Sequence, residues 1–288
     1  MKPSPFDYHR AVDVDDAVAA LHGAEDGKAI AGGQSLIALM NFRLARPELL
    51  VDINPLHDLD YIEARPDGGL AIGAMTRQRS IEHSDLVRRR CPVMSEAMPL
   101  IAHAVIRNRG TIGGSLAHAD AGSELCTVSL AVDARLKVRG PSGDREIPAA
   151  EFFQGPLTTA LEPDELLTEI IIPPTPARSG FGYSEVSRRK GDFALAGVGA
   201  VIGFAEDGTV DHARIAYTSM GPNALRAPTV EEFLVGSRMD EQAIAAAADL
   251  ADGDLSPTDS LHGSALYRMQ LARALTRRVL RRAVERAA

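Results

Sequence analysis

Apolar positions fall along this chain in short runs that switch between a strand-like and a helix-like period, and glycines mark several of the switches. Residues 6–9 read as an opening strand. Asp13 or Asp15 then caps a helix whose Val14, Val18 and Leu21 share one face, with Gly23 and Gly27 ending it. Lys28-Ala29-Ile30 is a brief strand that delivers the chain into Ala31-Gly32-Gly33-Gln34-Ser35, after which Leu36, Ile37, Leu39, Met40 and Leu44 carry a helical pattern. Residues 49–53 form a buried strand, and residues 61–64 and 70–74 flank Pro66-Asp67-Gly68-Gly69 as a hairpin. Residues 81–106 are helical in two pieces broken near Pro92, and residues 125–131 form a buried helix. Residues 136–138 and 145–147 then make a hairpin around a Pro141-Ser142-Gly143-Asp144 turn.

The run Pro173-Pro174-Thr175-Pro176-Ala177-Arg178-Ser179-Gly180 cannot continue a central strand or a helix, so it marks a domain boundary. The expected division is 1–176, with subdomains of about 1–55 and 56–176, and 177–288. Beyond the boundary, segments 181–189, 193–204 and 213–218 have the spacing of sheet hairpins, with a turn at Asp207-Gly208. Helices follow at 241–251 and 264–288, the second with Leu266, Met269, Ala272, Leu275 and Val279 as its buried stripe.

A length of 288 residues and a hydrophobic content of 45% suit a globular chain with more than one core. The net charge of −8 argues against a nucleic-acid partner, whose backbone calls for a basic surface. No apolar run approaches the roughly eighteen residues of a membrane span, and Met1-Lys2-Pro3-Ser4-Pro5 has no signal-peptide core, so the expected location is the cytoplasm. The 2 cysteines, Cys91 and Cys126, are too few for a [2Fe–2S] cluster, which takes four protein ligands, and form no metal motif.

Two glycine-rich stretches carry the candidate chemistry. In Ala31-Gly32-Gly33-Gln34-Ser35 and in Arg109-Gly110-Thr111-Ile112-Gly113-Gly114-Ser115, paired glycines among small and hydroxyl residues let successive amides converge on an anion. Strand, loop and helix in that order place the first stretch at a helix N-terminus, where the dipole also favours phosphate. Two such loops suit the two ends of one diphosphate. Other candidates are weaker. Gly197-Val198-Gly199-Ala200-Val201-Ile202-Gly203 has its third glycine one residue late for a dinucleotide fingerprint and leads into a turn instead of a helix, so it reads as a strand with close packing. His118, Asp120 and Glu124 have metal-ligand chemistry without a zinc or calcium spacing, and Ser115 with His118 lacks the closing glycine of a nucleophile elbow. Helix capping, solvation, or hydrogen bonds to the polyol of a nucleotide cofactor are the other readings of these side chains. The arginine-rich final helix reads as a solvated face or a subunit interface, with nucleic acid or anionic lipid as the alternative.

Ala31-Gly32-Gly33-Gln34-Ser35-Leu36, with Arg43-Leu44-Ala45-Arg46-Pro47 and Leu50-Val51-Asp52-Ile53, resembles the first FAD loop of the flavin-binding medium subunit of the molybdenum hydroxylases. That family includes aerobic carbon monoxide dehydrogenase, xanthine dehydrogenase and bacterial N-heterocycle hydroxylases. Arg107-Asn108-Arg109-Gly110-Thr111-Ile112-Gly113-Gly114-Ser115 resembles its second loop, and the likeness extends through Arg189-Lys190-Gly191-Asp192-Phe193, Gly221-Pro222 with Arg226-Ala227, and Tyr267-Arg268. The resemblance implies an α+β chain: a two-subdomain FAD-binding fold of the PCMH/vanillyl-alcohol-oxidase type, then a C-terminal α+β domain with a three-stranded sheet.

By position, the resemblance implies that Ala31, Gly32, Gly33, Gln34 and Ser35 hold the diphosphate together with Thr111, Ile112, Gly113, Gly114 and Ser115. Ile101 and Ala102 would line the adenosine or ribityl path, Asp120 and Glu124 the hydroxyl-bearing chain, and Leu167 and Phe193 the isoalloxazine. Ser115 stands where asparagine is commoner, and Phe193 where the carbon monoxide branch has tyrosine. The implied activity is electron transfer within an oxidoreductase. A large molybdopterin subunit would oxidise substrate, the [2Fe–2S] clusters of a small subunit would pass electrons to FAD, and quinone or another acceptor would take them, in a dimer of heterotrimers. This chain would have no catalytic acid, base or metal of its own. A self-contained FAD-dependent oxidase and a non-enzymatic FAD-binding or assembly protein are the alternatives.

Overall fold

The computed structural model describes residues 1–287, which build three larger sheets in succession along the chain and a two-stranded ribbon, Phe153–Gly155 with Thr158–Thr159. The first is parallel, with strand Leu49–Asp52 between Asp7–Arg10 and Gly27–Ile30. Parallel neighbours need crossovers, and helices Val14–His22 and Leu36–Asn41 supply them. Asp13 is the cap of the first helix, its carboxylate accepting from the Asp16 amide at 2.8 Å, while Ala17, Val18 and Leu21 face the core. Gly23 ends that helix, whereas Gly27 opens the next strand. Leu44, expected on the second helix, lies beyond its end and is exposed.

The second sheet has five strands in the order Ile62–Ala64, Leu70–Gly73, Leu166–Ile172, Arg135–Gly140, Gly143–Pro148, all antiparallel. Its middle strand, Leu166–Ile172, escaped the reading of the pattern. Six of its seven positions are buried, so Leu-Leu-Thr-Glu-Ile-Ile-Ile carries no alternation to announce a strand. The stretch 81–106 is also more broken than expected. Helices Gln78–Glu82, Asp85–Arg90, Pro92–Ala97 and Ala104–Arg107 replace two long pieces, with a one-turn 3₁₀ helix Met98–Leu100 among them. Ser84 caps one through the Val87 amide at 3.2 Å, Pro92 opens another, and Ala102 takes a left-handed φ of 44° before the last.

The third sheet contains three long antiparallel strands, Ser179–Ser187, Ala194–Phe204 and Val210–Thr218, plus the two-residue edge strand Leu225–Arg226. Gly197, Gly199 and Gly203 lie within the middle strand as close-packing positions; a Cβ on Gly197 would lie 2.9 Å from the Thr218 side chain. Helices Pro228–Leu234, Glu241–Leu250 and Ala265–Ala287 complete this half. On the last, Ala272, Leu275 and Val279 are buried as expected, but Leu266 is 69% exposed and the stripe continues through Leu280 and Ala283. Its arginines are largely consumed within the chain. Arg273 pairs with Asp252, Arg277 with Asp249 at 2.7 Å, and Arg281 with Glu241 at 2.6 Å.

The buried helix Glu124–Ala131 packs against the third sheet from the side of the second, so the two halves share polar contacts. Thr127 and Thr218 join hydroxyls at 2.7 Å, and the Tyr183 amide donates to Glu96 Oε2 at 2.9 Å. Gly180 is where the last helix touches the sheet. A Cβ there would sit 1.6 Å from the Ala283 carbonyl oxygen. Gly180→Ala is therefore expected to lift that helix and lower Tm by roughly 5 to 10 °C in a thermal melt.

Candidate functional site

A cavity of about 520 Å³ opens where the first sheet, the second sheet and the start of the third meet. Its wall includes all the residues proposed from sequence except Ile112. Strand Gly27–Ile30 ends at the cavity and releases the chain into Ala31 to Ser35 before helix Leu36–Asn41 begins. Gly33 takes a φ of 71°, open to glycine at little cost. The consecutive amides of Gly32, Gly33, Gln34, Ser35 and Leu36 find no acceptor among the described residues. Asn54 steadies the loop by donating Nδ2 to the Ala31 carbonyl at 2.7 Å, and the Gln34 side-chain amide folds back onto the Gly32 carbonyl at 3.1 Å. This row of free donors is the anion cradle that the glycine pair suggested.

The second glycine stretch corrects that picture. Thr111 is the N-cap of helix Ile112–His118, so Gly113, Gly114 and Ser115 form a helical turn and leave no open loop of amides. The Ile112 amide donates to the Thr76 carbonyl at 3.1 Å and Gly113 to the Ala74 carbonyl at 2.9 Å. Gly114 donates to Thr111 Oγ1 at 3.1 Å and Ser115 to the Thr111 carbonyl at 3.2 Å. Ile112 points into the core and is 1% exposed, away from the cavity. Its neighbour Gly113 is needed for contact, since a Cβ there would lie 2.5 Å from that of Ala74. What this turn offers the cavity is a smooth wall at Gly114 and the hydroxyl of Ser115, which bonds the Ser123 hydroxyl at 2.9 Å and so is not paired with His118 as a nucleophile would be.

The two stretches touch through backbone. A Cβ on Gly32 would fall 2.3 Å from the Arg109 carbonyl oxygen, and Arg77 clamps that same carbonyl at 2.6 Å while its other nitrogen reaches Asn54 Oδ1 at 2.9 Å. On the far side, the buried Arg107 guanidinium grips Glu82 at 2.9 Å and donates to the Ile101 carbonyl at 2.7 Å. That grip fixes the Ile101 and Ala102 turn against the cavity, and it holds the Glu82 carboxyl below its ordinary range. Sequence reasoning missed Asn54, Arg77 and Arg107, because their partners lie far away in the chain. It also missed Gln78, which lines the cavity with a buried and unpaired Oε1, and the Leu157, Thr158, Thr159 and Leu161 wall.

At the other end stand Asp120, Glu124, Leu167 and Phe193. Asp120 Oδ1 accepts from the Gly122 amide at 2.8 Å, which orders the turn before helix Glu124–Ala131. Phe193 is 65% exposed and rests on Gly122, where a Cβ would meet its ring at 2.8 Å. Glu124 is 5% exposed; burial, reinforced by the charge of Glu185, pushes its carboxyl up to about 8. Burial also lifts Glu185 to about 7, and it raises both thiols, Cys91 and Cys126, to about 12. Among the described residues no group of three or more His, Cys, Asp or Glu side chains converges as a metal site, and no helix is long and apolar enough to cross a membrane.

Free loop amides, an unpaired buried acceptor and a cavity of about 520 Å³ suit a nucleotide carrying a diphosphate. Comparison with known proteins gives the same answer. A family model described as the FAD binding domain in molybdopterin dehydrogenase matches residues 4–175, and one described as the CO dehydrogenase flavoprotein C-terminal domain matches residues 181–283. The 6-hydroxypseudooxynicotine dehydrogenase complex subunit alpha of Paenarthrobacter nicotinovorans is 43% identical, over 100% of this chain and 97% of its own. The carbon monoxide dehydrogenase medium chain of Hydrogenophaga pseudoflava is 40% identical over 100% of both chains. A solved carbon monoxide dehydrogenase from that organism, lacking the Mo-pyranopterin moiety, superposes with a TM-score of 0.96 and 40% identity over 100% of both chains.

The raised carboxyl of Glu124 has a cost in stability with a definite sign. Below an unfolded pKa of about 4.3 both folded and unfolded forms are protonated; above it the unfolded chain ionises first, so stability falls until the folded group ionises as well. For the flavin-free chain, Glu124→Gln is expected to leave Tm nearly unchanged at about pH 4 and to raise it by several degrees at about pH 8, followed by calorimetry.

Proposed function

We infer the function from what the chain is: it belongs to the FAD-binding medium subunits of the molybdopterin dehydrogenases. It is the flavin-carrying subunit of an oxidoreductase of the molybdenum hydroxylase type, and its domain limits are proposed at 1–176 and 177–288. When bound, FAD supplies a carrier that takes electrons from the [2Fe–2S] clusters of a partner and yields them to an external acceptor. The chain's own residues bind and orient it.

The free amides from Gly32 to Leu36 carry this reading, since they are placed to take the diphosphate oxygens. Across the cavity, Thr111, Gly113, Gly114 and Ser115 form the opposing wall, where missing side chains admit the diphosphate. Ile101 and Ala102 border the adenosine or ribityl path, with Asp120 and Glu124 near the polyol. Leu167 offers an apolar surface to the ring, and Phe193 is exposed enough to cover it. Arg107, Arg77 and Asn54 hold this frame from behind the cavity wall.

The partners proposed are a large molybdopterin subunit and a small iron-sulfur subunit, assembled as a dimer of heterotrimers in the cytoplasm, with quinone or another external acceptor taking the electrons. The similar proteins are named for carbon monoxide and for 6-hydroxypseudooxynicotine, yet each matches the full length of this chain. That supports placing the choice of substrate in another subunit. The purified chain is expected to carry flavin absorbance. Gly114→Asp, which sets a carboxylate on the wall facing the diphosphate, should weaken FAD binding by about a hundredfold or more, while the neutral Gly114→Asn retains more of it. Stoichiometric flavin in Gly114→Asp would sink the placement of the diphosphate.

A further inference from the structure

Two buried carboxyls lie at the domain junction, and the electron-transfer role assigns nothing to either one's protonation. Glu124 opens the helix Glu124–Ala131 and lines the cavity, yet its carboxyl has no hydrogen bond from any other described residue. Glu185 sits on strand Ser179–Ser187 of the other domain, where the Tyr183 hydroxyl reaches Oε2 at 3.3 Å. That hydroxyl also bonds Thr218 Oγ1 at 2.9 Å, which in turn bonds Thr127 at 2.7 Å, so a polar seam runs from Glu185 into the helix that carries Glu124.

The charged and titratable groups facing Glu124 are mostly acidic or neutral. From the third sheet come Glu185 and Tyr183, from the preceding turn Asp120, and from its own helix the thiol of Cys126. Among the described residues Arg107 is the cation that acts on it, and its guanidinium is already engaged by Glu82 and by the Ile101 and Ala102 carbonyls. A carboxylate here would be buried, facing other carboxyls, with no cation bonded to it. A carboxylic acid is neutral there and has a proton to give.

We propose that Glu124 enters the flavin site as a neutral carboxylic acid that donates a hydrogen bond to the bound FAD, and that Glu185 across the domain junction keeps it in that form. A carboxylate in the same place could only accept. The proposal rests on the FAD reading above and goes beyond it in making cofactor retention depend on a proton held jointly by the two domains. Glu185 is a positioning residue in this scheme, acting through Glu124.

The test titrates the flavin-free full chain with FAD between about pH 6 and about pH 10, reading Kd from flavin fluorescence. In the wild type Kd should be level up to about pH 8 and then rise about tenfold per pH unit. Glu124→Gln, whose amide keeps a donor and cannot ionise, should remove that rise. Glu185→Gln removes the neighbouring charge, so it should move the start of the rise to lower pH. A flat wild-type profile, or an inflection that Glu185→Gln leaves in place, overturns the proposal. A second readout needs no comparison of affinities: infrared difference spectra of the FAD-bound chain should show a protonated carboxyl band at neutral pH that Glu124→Gln lacks, and its absence from the wild type overturns the proposal. Failure of the wild type to bind FAD at any pH would remove the FAD reading itself, and this inference with it.

Discussion

The site depends on one close approach of two backbones. The Gly32 Cα lies so near the Arg109 carbonyl that a Cβ would sit 2.3 Å from the oxygen. That contact brings the end of the first sheet against the segment that opens helix Ile112–His118. It also explains why glycine is needed on the first loop for two separate reasons, a positive φ at Gly33 and sheer proximity at Gly32. Arg77 makes the approach durable by holding the Arg109 carbonyl and Asn54 at once, and Asn54 in turn holds Ala31. The cradle of unpaired amides is therefore fixed by neighbours that leave those amides free.

The two glycine stretches look alike in sequence and do different work. In the first, glycine frees amides for a ligand. In the second, the amides are spent on the Ala74 and Thr76 carbonyls just past the strand Leu70–Gly73 and on the Thr111 cap, and glycine instead allows a helix to lie flush against Ala74. The anion-binding capacity of the cavity thus sits on one side, and steric room on the other. Electrostatics is divided in a comparable way. Arg77 and Arg107 behind the wall spend their guanidinium groups on carbonyls, on Asn54 and on Glu82, while Asp120 and Glu124 line the cavity with no cation bonded to either. A ligand with an anionic middle and a hydroxyl-rich arm matches that division.

The C-terminal half does more than cover the cavity. Its strand Ser179–Ser187 brings Tyr183 and Glu185 to the helix that carries Glu124, and its final helix returns Arg286 to Glu96 and stacks that guanidinium 4.4 Å from the Phe181 ring. Arg273, Arg277 and Arg281 of the arginine-rich helix pair with Asp252, Asp249 and Glu241 along its partly exposed side. A basic run in sequence is here an internal ion-pair ladder, each exposed pair contributing little by itself.

The sequence by itself determined a great deal. Glycine spacing, the strand-loop-helix order around Ala31 to Ser35, the proline-rich break after residue 172 and the cysteine count are local properties, and each fixes its consequence through short-range sterics or simple stoichiometry. The resemblance carried by those same motifs supplied the cofactor and the family. Only the tertiary structure decided the rest. It turned Ile112 into the core, showed the second glycine stretch to be a helical turn, and made Leu166–Ile172 the middle strand of a sheet because both its faces are covered. It also brought Arg107 to Glu82 and Glu185 toward Glu124. Such pairings join residues remote in the chain, and whether a buried charge is gripped or left facing its like depends on packing that no local pattern encodes.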